Sequence, residues 1–99
     1  MDSIESTAIK VLNTYPVKKA ALFGSAARGE MSVDSDIDIL IEFLPNTRGI
    51  IFFGLRIDLE EALDRSVDLM TFDALENEAK DKFRKKVLQD VRIIYERKN

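Results

Sequence analysis

The sequence has 99 residues, 45% of them hydrophobic and 33% charged, with a formal net charge of −3; that length suits one domain, residues 1–99, with a single core. It contains neither Cys nor His, which excludes disulfides, thiol nucleophiles, thiolate zinc sites and any triad or general base built on imidazole. No apolar run approaches the ~20 residues of a bilayer-spanning helix, no basic-then-apolar signal opens the sequence, and the acidic balance argues against a general nucleic-acid binder, so the expectation is a cytoplasmic protein with no membrane partner and no nucleic acid as direct substrate.

Ile4, Ala8, Val11, Leu12 and Tyr15 recur at helical spacing. Asp2 and Glu5 are placed to cap that helix, and Tyr15-Pro16 ends it, because a residue before proline avoids helical geometry. The run from Lys19 to Phe23 reads as a short buried strand stopped by Gly24, and Ser25 to Arg28 as one helical turn. A polar loop, 29–35, leads into the clearest strand, Asp36 to Phe43, where Ile37, Ile39, Ile41 and Phe43 alternate onto one face.

After a turn region from Leu44 to Gly49, the pattern from Ile50 to Leu63 is helical, with Phe52, Leu55, Leu59 and Leu63 along one side. Gly54 weakens it, and Ile50 to Phe53 also fits a strand. Val67 to Thr71 is a third short strand. A charged helix from Asn77 to Asp90 has Ala79, Phe83, Val87 and Leu88 as its apolar positions. Its basic residues Lys80, Lys82, Arg84, Lys85 and Lys86 read as a solvated face, with contact to RNA or an acidic partner as the alternative. Val91 to Tyr95 fits either a fourth strand or a continued helix. The order predicts an α/β (α+β) fold: a small mixed sheet of three to four strands with helices packed against it.

Three places carry chemistry. At Phe23-Gly24-Ser25 a strand runs into a helical turn. Glycine lets a phosphate approach the backbone, unpaired N–H groups at a helix start face an anion, and the Ser25 hydroxyl adds a donor. Alone, the same residues also suit a plain turn followed by a serine cap. The second is Asp36-x-Asp38. Side chains two apart on a strand share a face, with Cα atoms roughly 6.5–7 Å apart. Carboxylates drawn to 4 Å would repel by about 4 kcal/mol at an effective dielectric of 20. A hard divalent cation removes that conflict; a solvated strand end is the other explanation. The third is Asp68, which projects away from Val67 and Leu69 and joins the pair if its strand lies beside the Asp36 strand.

The pattern Gly24-Ser25, ten intervening residues, then Asp36-x-Asp38 resembles the signature of the DNA polymerase β-like nucleotidyltransferase superfamily. The run from Leu22 to Glu30, with Ser35 to Ile41, is similar to its minimal nucleotidyltransferase branch, and Val67-Asp68-Leu69 matches that branch's third carboxylate. Two departures stand out. Ala26 lies where the branch often has a larger or basic residue, and Asp64-Arg65-Ser66 where it often has a glycine-containing turn.

The resemblance implies a nucleotidyltransferase fold core and a two-metal mechanism with Mg²⁺, or Mn²⁺, held by Asp36, Asp38 and Asp68. It makes those three the catalytic residues, Gly24 and Ser25 the holders of the β/γ-phosphates of ATP, and Arg28 a candidate for neutralising phosphate charge. Larger relatives carry a second domain that grips base or acceptor, so a chain with room for only this core implies a cleft completed by another protein in a hetero-oligomer. Minimal relatives of this size often act as antitoxins of HEPN (higher eukaryotes and prokaryotes nucleotide-binding) ribonuclease toxins, and the resemblance implies transfer of AMP to a tyrosine of such a toxin. The alternatives are transfer to a small molecule such as an aminoglycoside, and a non-catalytic binding antitoxin.

Overall fold

The computed structural model describes residues 3–32 and 34–98. Among them, nine elements follow in order: α1 (Ser3–Leu12), β1 (Val17–Phe23), α2 (Gly24–Arg28), β2 (Ile37–Phe43), α3 (Ile50–Leu63), β3 (Val67–Thr71), α4 (Phe72–Asn77), α5 (Asp81–Gln89) and β4 (Arg92–Glu96). The expected cap at Asp2 lies outside the described residues. None of the described helices is long and apolar enough to cross a membrane.

The strands form one mixed sheet in the order β3-β2-β1-β4. β1 runs antiparallel to β2 and to β4, while β2 and β3 are parallel. A parallel pair needs a crossover, and α3 supplies it. Alternation along the strands then sorts the side chains onto two faces. On one, Ala20, Leu22, Ile37, Ile39, Ile41 and Val67 pack with Ala8 and Leu12 of α1 and Leu55 and Leu59 of α3. On the other, Ala21, Phe23 and Leu40 pack with Leu75 of α4 and Val87 of α5. Asp38 and Leu40 share parity on β2, so the hydrophobic pattern that buries the isoleucines turns Asp38 toward the second, thinner layer.

The strands and α3 form where the sequence predicts them, and residues 50–53 are helical rather than extended. Two predictions fail. In place of one helix from Asn77 to Asp90 there are two: α4 (Phe72–Asn77), which precedes that span and meets it only at Asn77, and α5 (Asp81–Gln89), with residues 78–80 between them. The first begins at Phe72 because Thr71, the last residue of β3, caps it: its Oγ1 accepts a 3.0 Å hydrogen bond from the Ala74 N–H. It ends where the Glu78 and Ala79 N–H groups both bond the Ala74 carbonyl. On α5 only Val87 is buried among the described apolar positions; Phe83 and Leu88 are 43% and 48% exposed and belong to neither core cluster. The segment from Val91 to Tyr95 resolves to the strand reading, because β4 completes the sheet beside β1.

The Thr71 cap gives a stability prediction away from the site. Thr71→Ala should cost about 1 kcal/mol. The check is urea unfolding, with the midpoint lowered and the slope against urea unchanged.

Candidate active site

β1, β2 and β3 all present their ends at one corner of the sheet. Phe23 closes β1 and pairs across the ladder with Asp38. Asp38 in turn stands opposite Asp68 in the parallel β2–β3 register. The adjacency assumed for Asp68 is therefore met: Val67 and Leu69 pack into the large core and Asp68 faces the other way, exposed.

Gly24 follows with φ +62°, a conformation L side chains rarely adopt. A Cβ on Gly24 would lie 2.5 Å from Asp38 Oδ2. The glycine is thus favoured twice, once by the positive φ of the strand-to-helix turn and once by the Asp38 carboxylate, which would have to shift to admit a Cβ. Ser25 begins the helical turn; its Oγ lies 4.0 Å from the Met31 sulfur, a weak acceptor, which leaves the hydroxyl's donor available to a ligand. Gly29, at φ +71°, ends α2, and its N–H donates to the Ala26 carbonyl.

Asp38 is half-buried, and its carboxyl is pushed up from 3.8 to about 6. Burial contributes most, followed by the negative charges of Asp68 and then Asp36; Arg28 acts in the opposite direction. Asp36 precedes β2 and is exposed, near enough to be felt by Asp38 but absent from the lining of the cleft beside it. Among the described residues, no three carboxylates are already gathered tightly enough to hold one ion. The donor set is nevertheless that of a hard-cation site: oxygen ligands only, with mutually repelling charges at a partly buried strand end.

The cleft has a volume of about 370 Å³, within the usual range for small-ligand pockets. Phe23, Gly24, Ser25 and Arg28 form one side, Asp38 and Asp68 the carboxylate side, and α5 contributes Phe83, Lys86, Val87 and Asp90. Five of the six predicted site residues thus share one cavity, and Asp36 does not line it. Arg28 is neither free nor simply solvated. Its Nε donates to Glu30 Oε1 at 2.9 Å and its Nη1 to Asp90 Oδ2 at 2.8 Å.

The contribution of α5 is what sequence reading missed. Lys86 belongs to the basic run assigned to solvent, yet it lines the cleft. Arg84 instead pairs with Asp81. The available signal was the spacing of Phe83, Lys86, Val87 and Asp90 at i, i+3, i+4 and i+7, one helix face of mixed chemistry.

Comparisons with known proteins bear on the family and the fold. A family model described as polymerase beta, nucleotidyltransferase, matches residues 6–99. A protein of Methanocaldococcus jannaschii named "Putative protein adenylyltransferase" is 37% identical over 82 residues, covering 83% of this chain and 88% of its own length. The protein adenylyltransferase MntA of Thermococcus cleftensis is 36% identical over 63 residues, 64% of each chain. Among solved structures, a chain from a crystal structure of a toxin–antitoxin with AMP-PNP superposes with a TM-score of 0.72 at 27% identity, covering 94% of this chain and 73% of that one.

Proposed function

The chain belongs to the polymerase β nucleotidyltransferase family, and from that premise we propose that residues 1–99 act as one protein adenylyltransferase domain, an antitoxin that transfers AMP from ATP to a tyrosine hydroxyl of a cognate HEPN ribonuclease toxin. The observation that carries this reading is the Asp38–Asp68 pair in register beside the Gly24 turn, in a cleft sized for a small ligand. The adenylyltransferase name of the relatives and the AMP-PNP in the toxin–antitoxin structure support the choice of nucleotide and of partner class.

Asp36, Asp38 and Asp68 are the residues that would hold Mg²⁺, as two ions, with Mn²⁺ an acceptable substitute. Bound there, the metal would neutralise phosphate charge and lower the pKa of the acceptor hydroxyl. The Gly24 backbone and the Ser25 hydroxyl hold the β- and γ-phosphates. Arg28 adds positive charge once it exchanges Asp90 for a phosphate oxygen. Asp68, the more exposed of the paired carboxylates, assists removal of the tyrosine proton. The phenolate oxygen attacks the α-phosphorus, an O–P bond to AMP forms, and pyrophosphate leaves with the bond it held.

The test is mass spectrometry of the toxin after incubation with this chain, Mg²⁺ and ATP. The expected result is a tyrosine carrying one or more AMP units. An unmodified toxin that is still neutralised would favour a purely binding antitoxin; transfer to an aminoglycoside but not to the toxin would favour a small-molecule acceptor. The Ser25 assignment has its own check. Ser25→Ala removes one donor and leaves the backbone N–H groups, so kcat/KM for ATP should fall about tenfold rather than vanish; unchanged steady-state kinetics would remove Ser25 from the phosphate site.

A further inference from the structure

We propose that the inward face of α5 is the nucleotide-reading wall of the cleft, with Phe83 carrying a purine base and Lys86 its polyphosphate. This rests on the adenylyltransferase reading and goes beyond it by assigning the base and a second phosphate contact to an element outside the family motif.

Four α5 residues line the cleft: Phe83, Lys86, Val87 and Asp90. Two of them have structural employment. Val87 is buried against Phe23, Leu40 and Leu75 and fixes the helix to the sheet. Asp90 accepts from Arg28. The other two have none. Phe83 is 43% exposed, lies outside both core clusters and makes no ring contact among the described residues. Lys86 forms no ion pair among the described residues, whereas neighbouring Arg84 is paired with Asp81.

A large aromatic left 43% exposed in the lining of a cleft loses burial free energy that a ligand ring would restore. A lysine one helical turn away stands about 5–6 Å from it at Cβ, and its ammonium is a point charge suited to phosphate oxygens. Flat apolar surface next to a cation, facing two carboxylates and a glycine turn, matches a nucleoside triphosphate: base on Phe83, phosphate tail running past Lys86 toward Gly24. A purine offers more stacking surface than a pyrimidine, so ATP and GTP should bind more tightly than CTP and UTP.

The test is calorimetric titration of the full chain, in Mg²⁺ and without acceptor, using ATP and inorganic tripolyphosphate as the two probes. Phe83→Leu keeps an apolar side chain at an exposed position and should weaken ATP about tenfold to a hundredfold, the range of one base–aromatic stack, while leaving tripolyphosphate unchanged. Phe83→Tyr should restore ATP binding. Lys86→Gln should weaken both probes by about the same factor. The proposal is overturned if Phe83→Leu binds ATP like the wild type, including the case where only toxin labelling falls and Phe83 serves the acceptor; the adenylyltransferase reading would then survive. Equal weakening of both probes by Phe83→Leu overturns it too, as a general disturbance of α5. A wild-type chain that binds neither probe overturns the proposal together with the reading beneath it.

Discussion

Asp38→Asn should abolish nucleotidyl transfer and at the same time yield a more heat-stable protein. The two effects have one cause. In the folded chain the Asp38 carboxyl is pushed up to about 6 by burial and by the charges of Asp68 and Asp36. A raised carboxyl pKa means that the native state takes up a proton more readily than the unfolded one. The ionised group therefore destabilises the fold above about pH 6, and that penalty fades as the pH falls through 6 toward 3.8. At pH 7 the rise from 3.8 to about 6 corresponds to at most about 3 kcal/mol. The group is only half-buried, and solvent screening brings a realistic figure nearer 1 kcal/mol. Asparagine keeps the shape and removes the charge, so the melting temperature should rise by about 4–8 °C in metal-free buffer. Activity should fall about a thousandfold or more, as expected when a group that organises charge at the reacting phosphate is lost. Asp36→Asn should match that loss with a smaller gain in stability, since Asp36 is exposed. Activity close to wild type in either variant would remove that carboxylate from the reaction. A lowered melting temperature for Asp38→Asn would show that the native fold does not penalise the charge.

That coupling also explains how much of this molecule is legible in its sequence. The β2 pattern Ile37, Ile39, Ile41 leaves Asp38 no choice of face, because a one-residue slip would drive the carboxylate into the large core and turn three isoleucines toward the thinner layer. Val67 and Leu69 fix Asp68 in the same way. A period of two along each strand thus assigns each carboxylate its face, while the β2–β3 pairing that brings Asp38 and Asp68 together comes from the fold. The opposite wall is harder to read, for the converse reason. α5 carries a strong helical pattern, but Phe83 and Leu88 look like core residues in any periodic reading and are exposed instead. The pattern says which face of a helix is apolar, not whether another element arrives to cover it. α4 escapes notice because six residues are too few for a period to show; it exists because Thr71 caps it and Leu75 fills the space under Leu40. Arg28 is legible as a cation near the motif, but its partner Asp90 is 62 residues away in sequence, and no local signal joins them.

Gly24→Ala should disable the enzyme, and Gly29→Ala should not, although both glycines have a left-handed backbone. At Gly24 φ is +62°, and at Gly29 it is +71°. Each alanine thus costs about 1–2 kcal/mol in backbone strain, and both variants should unfold at lower urea by a comparable amount. The difference is what the new methyl group meets. At Gly29 nothing lies within 4 Å; at Gly24 the methyl would stand 2.5 Å from Asp38 Oδ2 and 3.5 Å from its Cγ. Something has to move by most of an ångström. The β1 and β2 backbones are locked in the ladder that pairs Phe23 with Asp38, so the movable part is the Asp38 carboxylate. A displacement of that size at a group that must face the reacting phosphate is worth about a hundredfold in rate. Gly24→Ala should therefore lose about a hundredfold or more in kcat/KM for ATP, and Gly24→Val more again, since its branched side chain also fills the approach to the turn. Gly29→Ala should keep wild-type kinetics at temperatures where it is folded. Matching urea curves with widely different rates would isolate the close approach of the Gly24 backbone to Asp38 as the functional requirement. Equal rates in the two alanine variants would mean that the Asp38 carboxylate can swing aside without consequence, and the catalytic geometry would then have to be sought in Asp68 and Asp36 alone.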